Sequence, residues 1–401
     1  MRRLAGPLSA ARRSGIGELS RLAVEIPAAI RLEVGEPDFE PPAHVLEAAR
    51  QAIAGGQHGY TPAAGLPSLR ELLAAKLERV NGICVDPGQV VCGPGGVGVL
   101  AAALAAVCSP GDAVLVPDPG WPNYLLLLAA LHVEPVRYPC PPERGFLPDV
   151  DRLEGLVGDR CRVLLVNTPN NPSGRVYPPE VLQGLSEIAR RHDLWVVSDE
   201  CYDQIVMEGP RVAPGMWARA DAGRVISCFT FSKTYAMPGW RLGYGVAAPA
   251  VAESMAKALE GSSHGPATIS QKAGEAALAG PQDCVPAMVS AYRRRRDAAV
   301  ELLQGAGLLL SVPEGAFFVL ADVSATGLDS FDFALRLLRE RGVAVAPGST
   351  FGQVTSGMVR VSLTRADEEV VEGVGALCEL AAGLRDGQAE AAPPRARDGG
   401  A

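Results

Sequence analysis

Lys233 has the setting that a reactive amine needs. It follows an apolar run of strand length, Val225 to Phe231, and stands between Ser232 and Thr234. A lysine just past a buried strand is desolvated, and desolvation lowers an amine's pKa towards its nucleophilic form. Arg241 comes eight residues later, with Pro238 and Gly239 turning the chain between them. An arginine beside the hydroxyls of Thr230 and Ser232 suits a phosphate. An amine for a Schiff base and a cationic pocket for an anchor are what pyridoxal phosphate requires. The stretch also fits an exposed strand-end lysine with an arginine on a surface loop, so other groups must decide.

Asp199-Glu200-Cys201-Tyr202 follows the apolar Leu194-Trp-Val-Val. A carboxylate at the end of a buried strand needs a cationic partner, which a structural ion pair or a protonated pyridine nitrogen would supply. Asn167-Thr-Pro-Asn-Asn-Pro-Ser-Gly174 ends another strand in a turn dense with hydrogen-bonding amides. Trp121, just after Pro119-Gly120, could stack on a flat ring or fill the core. Gly93-Pro-Gly-Gly-Val-Gly98 fits the dinucleotide fingerprint G-x-G-x-x-G, and Asp118 lies twenty residues on, where a ribose-binding acid would sit. A nicotinamide-dependent dehydrogenase is therefore a rival. The same glycines can equally present helix N-terminal N–H groups to one phosphate.

These groups need elements to hold them. From about residue 90, β-rich runs alternate with helical ones: Val90–Cys92, Ala113–Val116, Val133–Tyr138, Val163–Asn167, Leu194–Ser198, Val225–Thr230 and Tyr244–Ala247 are the strands. Such alternation predicts an α/β fold whose mostly parallel, seven-stranded sheet lies between helices, with ligands at the C-terminal strand ends. Leu125–Leu131 reads as a buried helix, and Ser68 as the cap of a helix running to about Val80. Beyond residue 285 a long helix carries Arg293 to Arg296, read as a solvated face; a strand region around Gly315–Leu320, a helix Ser330–Arg341 and strands Val343–Ala346 and Met358–Leu363 complete a smaller α+β domain. The expected division is 1–45 as N-terminal arm and part of the small domain, 46–285 as the large cofactor domain, 286–382 as the small domain and 383–401 as a disordered tail.

A formal charge of −8 argues against nucleic acid as a partner. The nine cysteines are scattered without a C-x-x-C pair, so no metal site is expected and free thiols in a reducing cytoplasm are. No apolar run is long enough to cross a membrane.

From about Ser14 to Leu380 the chain resembles the class I aminotransferases of fold type I, the aspartate aminotransferase superfamily. The resemblance rests on Thr230-Phe-Ser-Lys-Thr-Tyr-Ala-Met-Pro-Gly-Trp-Arg241 and Asn167–Gly174, supported by Gly35-Glu-Pro-Asp38 and Met358-Val-Arg-Val-Ser362. It implies that Lys233 carries the cofactor as an internal aldimine and moves the α-proton, that Asp199 pairs with the pyridine nitrogen, and that Asn171 and Tyr202 hold the ring oxygen. It further implies Trp121 stacked on the ring, Gly95, Gly96, Val97, Thr230 and Arg241 around the phosphate, and Tyr60 reaching the phosphate of a partner subunit in a homodimer. Arg360, with Gly35 and Asn171, would clamp the substrate α-carboxylate. The implied reaction exchanges an amino group between an L-amino acid and a 2-oxo acid by a ping-pong mechanism; a lyase or cyclase on the same fold is the alternative. One position departs from the pattern. Related aspartate enzymes commonly carry a lysine where this chain has Val97, which tilts the expected donor towards a neutral or aromatic amino acid.

Overall fold

The computed structural model describes residues 6–10 and 15–391, with side chains over 6–9 and 15–386. The basic residues Arg2, Arg3, Arg12 and Arg13 lie outside the described residues. A short strand, β1 (Ile30–Arg31), precedes the large domain's seven: β2 (Val90–Pro94), β3 (Ala113–Asp118), β4 (Glu134–Pro139), β5 (Cys161–Asn167), β6 (Trp195–Asp199), β7 (Val225–Thr230) and β8 (Leu242–Val246). These seven form one sheet in the order β2-β8-β7-β6-β5-β3-β4. Only β8 is antiparallel to its neighbours. All seven strands expected from the sequence are present.

The apolar runs are continuous because both sheet faces are covered. Along β5, Val163 and Leu165 pack towards one cluster, with Val99, Leu100 and Leu104 of the helix Gly95–Val107. Leu164 and Val166 face the opposite one, with Leu182, Leu185 and Ile188 of the helix Pro179–Arg191. That helix begins on Pro179, where a missing N–H costs nothing, and repeats its apolar residues with helical spacing. Each fully buried Leu or Ile of this kind contributes roughly 1.5–3 kcal/mol.

The C-terminal region, expected to form the small domain, holds β9 (Phe318–Asp322), β10 (Val343–Ala344), β11 (Ala346–Pro347) and β12 (Met358–Ser362). Val343–Ala346 is not the single strand expected. Its first half pairs with β1, and its second half pairs with β12 in the order β11-β12-β9. Pro347 has no N–H to extend that ladder. Leu19, Ala23 and Leu32 of the N-terminal segment share a core with Phe333, Val359 and Val374. Leu32 is locked there by backbone bonds to Ala344 and Ser362, which fixes Glu33 and Gly35 beside β12.

Other expectations are corrected. Ser68 is not a cap: Pro67 opens the helix Pro67–Lys76, and the Ser68 hydroxyl donates to Glu275 at 2.5 Å. The arginine run is a solvated face only in its first half: Arg293 and Arg294 are exposed, while Arg295 and Arg296 are 7% and 4% exposed. Arg295 binds Asp38 bidentately at 2.9 and 2.8 Å and reaches Asp367 with its Nε at 2.8 Å. It thus ties the Gly35–Asp38 segment to the small domain. The last helix, Asp367–Ala391, continues past Gly383, where disorder was expected. Leu384 packs on the core and Arg385 donates to the Ala306 carbonyl at 3.0 Å, so the helix has anchors there. No helix among the described residues is long and apolar enough to cross a membrane.

Candidate active site

A cavity of about 350 Å³ opens at the C-terminal ends of β5, β6 and β7, roofed by β12 and the Glu33–Gly35 segment. The chain leaving β7 supplies the amine. Thr230 caps a four-residue helix, Phe231–Thr234, by accepting from the Ser232 N–H at 3.1 Å. Lys233 projects from that turn, partly buried, and donates to the Gly35 carbonyl at 2.8 Å. Burial lowers its pKa from 10.5 to about 8, and the positive charges of Arg360 and Arg241 act in the same direction, against Cys201 and Glu36. A lysine so placed is partly neutral near physiological pH.

Asp199 ends β6, level with Asn167 at the end of β5. Its Oδ2 accepts from the Tyr124 hydroxyl at 2.6 Å and its Oδ1 from the Cys201 N–H at 3.2 Å. Burial raises its pKa, while Cys201, Tyr124 and Lys233 pull it down. Asn167 donates to the Asp199 carbonyl at 3.1 Å and accepts from the Asn171 N–H at 2.9 Å, so the amide-rich turn is hung on the strand end. Asn171 in turn accepts from Arg360 Nη1 at 3.0 Å.

Arg360 is 3% exposed and has no carboxylate within ion-pair distance among the described residues. Its Nη2 donates to the Glu33 carbonyl at 2.6 Å, its guanidinium lies 4.1 Å from the Phe318 ring centre and 4.8 Å from that of Phe351, and its Nε has no partner. Burial lowers its pKa to about 10. A buried guanidinium held by carbonyls and rings, with a donor to spare, is a receptor for an anion.

At the far end, Gly95 and Gly96 open the helix Gly95–Val107, whose N-terminal N–H groups are free to face a phosphate. Gly95 has φ +75°, and a Cβ there would strike the Arg241 guanidinium. A Cβ on Gly243 of β8 would lie 2.6 Å from the Gly95 carbonyl carbon. Arg241 donates to the Pro238 carbonyl at 2.7 Å and lines the cavity, as do Gly96, Val97, Thr230 and Ser232.

Of the residues expected at the site, Gly35, Gly96, Val97, Trp121, Asn171, Asp199, Tyr202, Thr230, Lys233, Arg241 and Arg360 line this one cavity, and Gly95 adjoins it. Tyr60 does not: it is 95% exposed and lies edge-on to His264 at 5.2 Å, apart from the cavity. Asp118 is also elsewhere. It accepts from the Gln353 and Val354 N–H groups at 3.1 and 3.2 Å, so the acid that would have held a ribose closes a small-domain loop. Sequence reasoning gave no role to Tyr124, Cys201, Glu33, Phe318 or Ile16, which also line the cavity. Only Tyr124 left a trace, as a polar ring on the aliphatic helix Asn123–Ala130, three residues after Trp121.

Pyridoxal phosphate fits this donor set: a lysine of lowered pKa, a buried acid with no cation in ion-pair range among the described residues, and a glycine cradle with a guanidinium at its lip. The comparisons agree. The model of the family "Aminotransferase class I and II" matches residues 27–377. An aspartate/prephenate aminotransferase of Thermus thermophilus is 41% identical, over 88% of this chain and 90% of its own. An aromatic-amino-acid aminotransferase of Thermococcus litoralis is 35% identical, over 90% and 94%. The structure of a single mutant of the Thermus thermophilus aspartate aminotransferase superposes with a TM-score of 0.88 at 38% identity, covering 95% of this chain and all of that one. The chain belongs to the class I and II aminotransferase family, and is a pyridoxal phosphate-dependent transferase of amino groups.

Proposed function

We propose that this enzyme moves the amino group of a neutral or aromatic L-amino acid to a 2-oxo acid, with Lys233 as the proton-transfer base. The carrying observation is one cavity that joins a lysine of lowered pKa, the buried Asp199 and the counterion-free Arg360. When bound, pyridoxal phosphate supplies an electron sink that acidifies the α-hydrogen of the attached amino acid. Arg360 grips the α-carboxylate through donors that a lysine could not offer in a planar fork. Asn171 bridges that grip to the ring-binding side, because its Oδ1 already accepts from Arg360. Asp199, aligned by Tyr124 and the Cys201 N–H, holds a proton at the pyridine nitrogen. Asn171 and Tyr202 would hold the ring oxygen, and Trp121 would provide an apolar face for the ring. Gly95, Gly96, Thr230 and Arg241 hold the phosphate. Lys233 Nζ, partly neutral, would be the base that takes the α-proton and the acid that gives it back.

Val97 supports the choice of side chain. It lines the cavity and brings no cation to meet a distal carboxylate. The relatives' names include aspartate, prephenate and aromatic amino acids, so the donor is decided by measurement. Each amino acid is added singly to the loaded enzyme without acceptor, and loss of the cofactor's visible band is followed. Neutral or aromatic amino acids are expected to react fastest. Fastest reaction with aspartate or glutamate overturns the preference. No reaction with any amino acid overturns transamination in favour of a lyase or cyclase.

The proposal includes a cytoplasmic homodimer, which the unpaired state of all nine cysteines and the exposed Tyr60 support. Tyr60 then serves the partner's phosphate. A heterodimer of one Tyr60→Phe and one Lys233→Ala subunit is expected to regain one normal site; a fully active monomer overturns it.

A further inference from the structure

Among the residues lining the cavity, Glu33 is the one acid whose side chain no step above uses. It lines the cavity and is 0% exposed. Its Oε1 is fully engaged: Arg31 donates to it from Nε at 2.6 Å and approaches with Nη2 at 2.5 Å, and the Ser20 hydroxyl donates at 3.0 Å. Its Oε2 is buried and has no hydrogen-bond partner. The backbone carbonyl of the same residue holds Arg360 Nη2. A substrate gripped by Arg360 is therefore fixed next to Glu33, and Ile16 of the helix Gly15–Val24 lines the same cavity.

We propose that Glu33 selects the substrate side chain, its free Oε2 accepting a hydrogen bond from an O–H or N–H donor carried on that side chain. The proposal rests on the aminotransferase reading and narrows it. A carboxylate oxygen sealed from water and left unpaired is costly, and a donor entering with the substrate removes that cost. A side-chain carboxylate would instead meet a like charge, with Val97 offering nothing in return. Arg31 neutralises much of the Glu33 charge, so the selector reads a donor, with or without a positive charge. Hydroxyl, amide and ammonium side chains share that chemistry.

The test uses pairs that differ by one donor group: norvaline and homoserine, phenylalanine and tyrosine, norleucine and ornithine. Two readouts are taken on the loaded enzyme. One is the half-reaction rate constant over concentration. The other is the dissociation constant of the matching α-methyl amino acids, which have no α-hydrogen to lose, read from the shift of the visible band. The wild-type enzyme is expected to favour the donor-bearing member of at least one pair by about tenfold or more in both readouts. Glu33→Gln keeps a carbonyl for Arg31 and turns an N–H to the cavity. It is expected to abolish that ratio and to improve aspartate or glutamate relative to the aliphatic members. Ratios within about twofold of one for every pair in the wild type overturn the proposal without any variant. An unchanged ratio in Glu33→Gln overturns it as well. If nothing turns over, the parent reading fails, while the α-methyl ligands still report whether Glu33 selects.

Discussion

Lys76 and Lys233 both bring an ammonium group into the large domain, on opposite sides of the strand ends. Lys76 is 3% exposed and is met by Asp203 at 2.8 Å, by Asn81 at 2.8 Å, and by the Phe229 and Tyr244 rings at 5.0 and 5.7 Å. Lys233 finds the Gly35 carbonyl at 2.8 Å and the Phe317 ring at 5.7 Å, with no carboxylate in ion-pair range among the described residues. Adjacent acids divide in the same way. Asp199 faces the cavity, whereas Glu200, one residue on, packs beside Ser227 and Ser198 on the Lys76 side. Burial by itself therefore does not make a reactive group here. The lysine proposed as reactive is the one with no counterion among the described residues, and the knot around Lys76 holds the turn from which it projects: the Thr234 hydroxyl reaches Asp203 at 3.5 Å.

Replacing Lys233 breaks the contrast most severely. Lys233→Met is expected to slow α-proton transfer by about 10³–10⁴-fold or more, read in the half-reaction. Without cofactor the same variant is expected to be the more stable protein. The folded lysine has a pKa of about 8 against 10.5, so between those values the unfolded chain binds more protons and wild-type stability rises with pH. The advantage of Lys233→Met is thus on the order of 3 kcal/mol below pH 8 and closes as the pH passes 10.5. Denaturant melts of the cofactor-free proteins across that range measure it; a gap that widens with pH would contradict the missing-counterion account.

Lys76→Met should cost stability in place of chemistry, about 3–5 kcal/mol, because Asp203 is left buried and unpaired. Removing both charges, as Lys76→Met with Asp203→Leu, should recover much of that loss. A neutral single variant would mean that the two lysines are not different in kind. The smallest effect is expected at Glu200, whose pKa burial raises from 4.5 to about 7, against the pull of Ser227 and Ser198; its Oε1 makes no well-formed hydrogen bond, so those hydroxyls offset burial only in part. The folded protein holds that proton through the interval and the unfolded chain does not, so wild-type stability falls as pH rises from 4.5 to 7. Glu200→Gln lacks this dependence, and its advantage should grow across the interval to at most about 3 kcal/mol, then stay level. A gap that opens towards acid instead would assign the shift the wrong sign.

The parts of this contrast that could be read in the sequence are the local ones. A strand buried on both faces is a continuous apolar run, so the inner strands β3, β5, β6 and β7 announced themselves, with Asp199 ending β6, Lys233 just past β7 and Asn171 in the turn after β5. Tyr124 and Asp199 are 75 residues apart, and Lys76 and Asp203 are 127 apart. Nothing local marks such pairs: Lys76 ends an amphipathic helix and looks like any solvent-facing lysine until Asp203 arrives. Arg295 was misread for the same reason, since its partner Asp38 is 257 residues away. Glu33 stood unremarked next to a recognised motif because its burial is decided by Arg31 and by the helix carrying Ser20.

The reversal of β8 limits where this chain can change its length. Thr230 and Gly93 both pair with Gly243, and Gly243 rests against the backbone of Gly95. The excursion 231–241 therefore leaves β7 and re-enters on the neighbouring β8 at one end of the strands, with its two ends held in register, carrying Lys233 outward and Arg241 back. An inserted residue within β8 would move a side chain into the place of Gly243 and force the glycine loop aside. Descendants of this gene can absorb insertions at the exposed bend Glu208–Arg211, ahead of β7, where no ladder fixes the spacing. Between β7 and β8 the count is held, and with it the positions of Lys233 and Arg241.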